Sequence, residues 1–438
     1  MSELTGYKGE VLKLLAEASV SVGDIIQVKK DDVTYEGVLM PRYELADDRH
    51  LVIKLKNGYN VGIQIAPNMK VIKVGVGAKP TFVPPPLPAG KPGLPKVGIV
   101  STGGTIASRV DYRTGAVRPA LSAQDLYSIV PELSDIADVR AEILFRLFSE
   151  DVHAPHWTAM AKAVAKHIAD GVDGVVICHG TDTMGYTAAA LSFALQNLPV
   201  PVIIVGSQRS SDRPSSDAAM NLMSAVFTAA KAPFAEVAIC MHEDVSDVSA
   251  AIHRGTKVRK CHTSRRDAFK SINVTPLARV ESGKITMLTT NYTKRDPSRQ
   301  LILKPDFDER VALIKSHPGI NPKLIDWLVD SGYLGIIFEG TGLGHVGHYL
   351  FQSIKHAADE GVVMGMTSQC LWGRVNMNVY DTGVDLQAMG VIPLEDMLPE
   401  TALAKFMWIF GQTKDPEEVK KLILTNIAGE ISPRTIYG

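Results

Sequence analysis

The chain has 438 residues, 45% hydrophobic and 21% charged, an ordinary globular composition with more material than one core usually holds. A net charge of -1 gives the chain as a whole no electrostatic pull on nucleic acid. No apolar run approaches the roughly 20 residues that a membrane span needs. Four scattered cysteines (Cys178, Cys240, Cys261, Cys370), none in C-x-x-C spacing, read as reduced thiols of a cytoplasmic protein.

The first residues, "MSELTGYKGEVLKLLAEAS", lack the long apolar centre of a signal peptide and predict a short amphipathic helix. Short alternating segments follow over residues 20–75. Ile53 and Leu55 alternate before Asn57-Gly58, and Tyr59, Val61, Ile63 and Ile65 alternate after it, a hairpin signal. Four or five strands in so short a span suggest a small β-barrel over 1–75. The Pro/Gly-rich stretch 76–95 reads as a stiff linker.

From Lys96 the pattern changes. "KVGIV", "GVVIC", "PVIIVG" and "EVAIC" are continuous apolar runs, as parallel strands buried on both faces require. Between them "WTAMAKAVAKHI" puts Trp157, Met160, Ala161, Val164 and Ile168 on one helical face. This predicts an α/β catalytic domain over 96–290, an interdomain linker over 291–307 and a smaller α/β domain over 308–438. In the last, "RVALIKSHPG", "YLGIIFEG" and "VVMGMTSQ" are strands, and Asn321-Pro322 opens a helix that stops at Gly332.

Ligands of open α/β sheets bind beyond the carboxyl ends of the strands. Three such ends are unusual here: "STGGTIA" after Val100, "HGTDTMGYT" after Cys178 and "GSQRSSDRPSSD" after Val205. A phosphate loop would need a Lys-Ser/Thr pair or a third glycine after Gly103-Gly104, and neither is present. In "HGTDT", Thr181 and Asp182 lie at a strand-to-helix turn. The bland reading is a helix N-cap, for which Asp182 and Thr183 are suited. Against it stands the pairing of two threonine-bearing, glycine-flanked strand ends in one domain. A threonine hydroxyl is a weak nucleophile that needs an activating group and an oxyanion site, and two such turns can supply both. "HAPH" (His153, His156) and "GHVGH" (His345, His348) lack accompanying acidic or cysteine ligands and read as ordinary histidines, with no metal expected.

These residues resemble a known family. "STGGTIAS" and "HGTDTMGYTAAAL", about 75 residues apart, resemble the two signatures of the bacterial-type L-asparaginases. The likeness continues through "VGSQRSSDRPSSDAAMNLMSAV", "DAFKSIN" and "GQTKDPEEVKKLI". It implies hydrolysis of a side-chain amide through an acyl-threonine. Carried over by position, it makes Thr105 the nucleophile, assisted by Tyr112, with Thr181, Asp182 and Lys260 as the second catalytic group. Lys260 precedes Phe269 by nine residues, and Lys257 is the alternative register. The likeness also puts Gly104, Ser149, Glu150 and Gly180 on the substrate. Ser149 holds its α-carboxylate, and Glu150 replaces the glutamine of many stand-alone asparaginases.

A plain asparaginase starts close to its first signature, whereas this chain has about 95 residues ahead of it. That arrangement resembles the asparaginase-like component of the archaeal glutamyl-tRNA(Gln) amidotransferases. The resemblance implies a glutaminase that takes glutamine or asparagine and needs no cofactor of its own. It would form a homodimer within a heterotetramer, with an E-subunit that uses ATP and magnesium and handles Glu-tRNA(Gln). The alternatives are a stand-alone cytoplasmic L-asparaginase and an RNA-recruiting module with an inactive amidase site. The nearly balanced charges of the N-terminal segment argue against the latter.

Overall fold

The computed structural model describes residue 4 and residues 6–42, 47–55, 60–76, 93–103, 106, 108–110, 117–119, 130–209 and 216–434. The expected first helix is α1 (Gly9–Glu17), whose Val11 and Leu15 are buried. Five strands follow: β1 (Asp24–Lys30), β2 (Val33–Leu39), β3 (His50–Leu55), β4 (Asn60–Gln64) and β5 (Lys70–Val76). They form an antiparallel sheet in the order β4-β3-β2-β1-β5. These five strands fall within the segment expected to form a small β-barrel. β3 and β4 pair in register, Leu51 opposite Ile63 and Ile53 opposite Val61. The inward residues Ile26, Val28, Leu39, Leu51 and Ile53 close a core with Leu15.

The next unit, expected from the sequence to be the catalytic one, is built on an eight-stranded sheet. In chain order its strands are β6 (Lys96–Gly103), β7 (Asp138–Leu147), β8 (Gly174–Cys178), β9 (Val202–Val205), β10 (Val237–His242) and β11 (Ser249–Arg254). A separate hairpin follows, β12 (Val258–Lys260) with β13 (Phe269–Ser271), and the sheet then ends with β14 (Ala278–Glu281) and β15 (Lys284–Met287). The sheet order is β15-β14-β11-β10-β9-β8-β6-β7. β7, β6, β8, β9 and β10 are mutually parallel, and the remaining pairings are antiparallel. β8 and β9 are buried along their whole length, which is why they read as continuous apolar runs.

Helices cover both faces of the sheet. α2 (Ala154–Ala169) and α3 (Met184–Ala194) pack on one face, and α4 (Ala218–Lys231) on the other. On α2, Trp157, Met160, Ala161 and Val164 are buried as the helical periodicity requires, while Ile168 is only half-buried.

The C-terminal unit has four parallel strands in sequential order. They are β16 (Val311–Lys315), β17 (Gly335–Gly340), β18 (Val363–Ser368) and β19 (Val391–Pro393). Its helices are α5 (Lys323–Asp330), α6 (Phe351–Asp359), α7 (Asp381–Ala388), α8 (Pro399–Gln412) and α9 (Pro416–Leu424). α5 stops at Gly332, whose φ of +77° is the left-handed turn that glycine makes without strain. α8 lies against α3, with Phe193 and Trp408 stacked at 5.9 Å. Squeezed between its own sheet and α8, α3 has no wet face, so its sequence is apolar all round.

Candidate active site

The first two unusual strand ends lie side by side. β6 and β8 are neighbours, with Ser101 opposite Cys178, and the Thr102 hydroxyl donates to the Cys178 carbonyl at 2.9 Å. Thr105 follows Ser101 by four residues, and Thr181 follows Cys178 by three. Gly103 ends β6 with φ +118°, and a Cβ there would stand 2.1 Å from the Leu147 carbonyl oxygen. The glycine is needed because the chain turns against β7 at this point, where the register shifts between Ser101 and Gly103. Gly104, Thr105 and Tyr112 lie outside the described residues.

The second turn is well defined. Lys260, the last residue of β12, donates from Nζ to Thr181 Oγ1 at 2.8 Å and to Asp182 Oδ1 at 2.7 Å. Thr181 is buried and the Lys260 side chain is only 13% exposed, whereas Asp182 opens to solvent. The hydroxyl, ammonium and carboxylate therefore form one chain running from the interior to the surface. Asp182 does not cap a helix. The residue preceding α3 is Thr183, and its hydroxyl donates to the Ser149 carbonyl at 2.6 Å. Ser149 is buried in the short turn after β7, and Glu150 beside it is exposed. Gly180 lies against Ser149, and a Cβ there would come within 2.7 Å of the Ser149 Cβ.

Lys257, the alternative register, points elsewhere. It is fully buried, with Nζ 2.7 Å from Asp396 Oδ2 and donating to the Asp396 carbonyl at 2.9 Å. Burial holds its ammonium below the usual lysine value, opposed by Asp396. It joins the catalytic unit to the C-terminal unit and does not reach Thr181.

A buried relay beneath the turn has no signal in the sequence. Trp157 Nε1 donates to Thr187 Oγ1 at 3.1 Å, so the Thr187 hydroxyl is left to donate to His179 Nε2, 3.0 Å away. His179 Nδ1 then carries the proton and donates to the Gly180 carbonyl at 2.7 Å. Burial pushes the His179 imidazole down to about 4, keeping it neutral in this tautomer. In sequence, Trp157 reads only as a member of an apolar helical face, and nothing singles out Thr187.

At the third strand end, the fully buried Asp217 carboxylate accepts from the backbone N–H groups of Gln208 and Arg209 and from Asn221 Nδ2. Burial of Cys178 pushes its thiol up to about 12, which leaves it inert beside the site. Among the described residues no three His, Cys, Asp or Glu side chains gather as metal ligands. His153 pairs with Glu309 at 2.9 Å.

This is the architecture of the asparaginases. The asparaginase N-terminal family model matches residues 96–293, and the glutaminase/asparaginase C-terminal model matches residues 310–423. Among solved structures, the thermostable L-asparaginase from Thermococcus kodakarensis is 33% identical. It superposes with a TM-score of 0.71 over 77% of this chain and 100% of its own. L-asparaginase I from Vibrio cholerae is 31% identical with a TM-score of 0.67, over 77% and 99% of the two chains.

The likeness extends to the remaining N-terminal residues. The GatD N-terminal domain model matches residues 20–74. The D-subunit of the Methanothermobacter thermautotrophicus glutamyl-tRNA(Gln) amidotransferase is 53% identical, over 98% of both chains. That of Pyrococcus abyssi is 52% identical, over 97% of this chain and 98% of its own. The chain belongs to the D-subunit family of the glutamyl-tRNA(Gln) amidotransferases.

Proposed function

We infer that this chain is the glutaminase subunit of a tRNA-dependent amidotransferase, releasing ammonia from glutamine for transfer onto Glu-tRNA(Gln). The observation that carries this reading is the GatD-type N-terminal domain in one chain with both asparaginase units. A stand-alone asparaginase accounts for the last two and leaves the first without a role.

In this account Thr105 attacks the side-chain amide carbonyl, assisted by Tyr112. The C–N bond breaks as the nitrogen takes a proton, and water then hydrolyses the acyl-threonine. Lys260, Thr181 and Asp182 relay the protons, which suits their 2.7–2.8 Å chain. Gly104, Ser149, Glu150 and Gly180 line the substrate, with Ser149 toward its α-carboxylate. The chain needs no cofactor or metal for hydrolysis. Its partner is the amidotransferase E-subunit, which uses ATP with magnesium to activate the tRNA-borne glutamate. The assembly is a heterotetramer around a homodimer of this chain. The setting is cytoplasmic, and no described helix is long and apolar enough to cross a membrane.

Purification from the native host tests this reading. Recovery of a second polypeptide, and conversion of Glu-tRNA(Gln) to Gln-tRNA(Gln) by the pair with glutamine and ATP, supports it. A lone chain that hydrolyses asparagine at full rate would favour the stand-alone enzyme.

A further inference from the structure

β12 carries Lys260, yet it is only three residues long and pairs with β13 alone, outside the main sheet. A two-stranded hairpin is too weak by itself to fix a side chain closely. Successive residues of a strand point to opposite faces, and here the two faces serve different units. Val258 enters the catalytic core and Lys260 reaches Thr181 and Asp182. The residues between and before them face the C-terminal unit. Arg259 Nε is 2.9 Å from Glu400 Oε1, and Lys257 Nζ is 2.7 Å from Asp396 Oδ2.

The two carboxylates lie four residues apart, flanking the start of α8, where further contacts fix Asp396 and the neighbour of Glu400. Asp396 Oδ1 accepts from Ser432 N–H at 2.8 Å, and the Thr401 hydroxyl donates to the Thr256 carbonyl at 2.9 Å. Burial raises the Glu400 carboxyl and Arg259 opposes it, so the pair is a desolvated contact rather than a solvated surface one. Two ion pairs and a backbone contact therefore grip one face of a short strand whose other face presents the lysine.

We propose that Glu400 and Asp396 are positioning residues for Lys260, acting through Arg259 and Lys257, so that the C-terminal unit sets the geometry of the amidase site. This rests on the reading of Lys260 as a catalytic group. A displacement of about 1 Å at a reacting group can cost about a hundredfold in rate, so loosening β12 acts on kcat before KM.

The test measures ammonia release from glutamine by the full chain, purified with its partner, well below its unfolding temperature. Glu400→Gln is compared with Asp308→Asn, which removes a carboxylate held by Arg310 and Lys414 at the other end of α8. Glu400→Gln is expected to lower kcat about tenfold or more with KM within twofold, and Asp308→Asn to leave kcat within twofold. Arg259→Lys, which keeps the charge but loses the planar fork, is expected to fall between wild type and Glu400→Gln. It decides on the same criterion if Glu400→Gln does not fold. A kcat within twofold of wild type, or equal losses at Glu400 and Asp308, overturns the proposal. Lys260→Ala is run alongside. If it keeps full activity the catalytic reading of Lys260 fails, whereas a dead Lys260→Ala with an unaffected Glu400→Gln overturns the positioning role alone.

Discussion

Lys260 Nζ stands 2.8 Å from the Thr181 hydroxyl although the two residues are 79 apart in sequence and belong to different strand ends. The contact joins a buried threonine to an ammonium whose other partner, Asp182, reaches solvent. Removing either member breaks the proton chain. Thr181→Val and Lys260→Met are each expected to lower kcat for glutamine hydrolysis by about 10²–10⁴-fold, the range of a lost acid–base group. Coupled detection of ammonia checks this, and a loss below tenfold in both would remove the chain from the mechanism.

Gly180 tests the contact between the second turn and Ser149. Its missing side chain leaves room that a methyl group would fill at 2.7 Å from Ser149 Cβ and 2.9 Å from Ser149 Oγ. Gly180→Ala is therefore expected to push the serine and raise KM for glutamine, at a stability cost of about 1–3 kcal/mol for overpacking. Steady-state kinetics and thermal unfolding of the variant measure the two effects separately.

Much of this arrangement is legible in the sequence, because the parallel strands are continuous apolar runs and two of the strand ends are marked by glycine and threonine. The family likeness points to Lys260 through its distance from Phe269, which the structure places directly opposite Lys260 in the β12–β13 hairpin. What the sequence does not carry is facing. Lys257 and Lys260 are both lysines of one short segment, and only the three-dimensional alternation sends the first to Asp396 and the second to Thr181. Asp182 looks like a helix cap until Lys260 takes its carboxylate. The Trp157–Thr187–His179 relay joins two helices and a strand end that no local pattern links. The N-terminal strands are visible as alternation, but their register, with Leu51 opposite Ile63 and Ile53 opposite Val61, appears only in the paired sheet.

Acid should destabilise the fold through its buried neutral histidines. Burial holds His179 at about 4 and His253 at about 3, below the usual 6.5. The unfolded chain takes up protons as pH falls through 6.5 while the folded chain refuses them. Stability is thus present in full above pH 6.5 and is lost as pH falls toward 4, by roughly 3 kcal/mol at most for each histidine. Calorimetry between pH 7.5 and 4.5 should show Tm falling throughout the lower half of that range, with a shallower fall in His253→Asn. A flat Tm across the range would contradict the buried neutral state.

The central claim, a glutaminase that works for tRNA-dependent amidation, is tested most directly by one rate. Ammonia release from glutamine is measured for the full chain alone, and then with the E-subunit and Glu-tRNA(Gln) added. The account predicts strong stimulation by the two together and loss of that rate in Thr105→Ala. An isolated chain that already runs at full rate, indifferent to both additions, would contradict it.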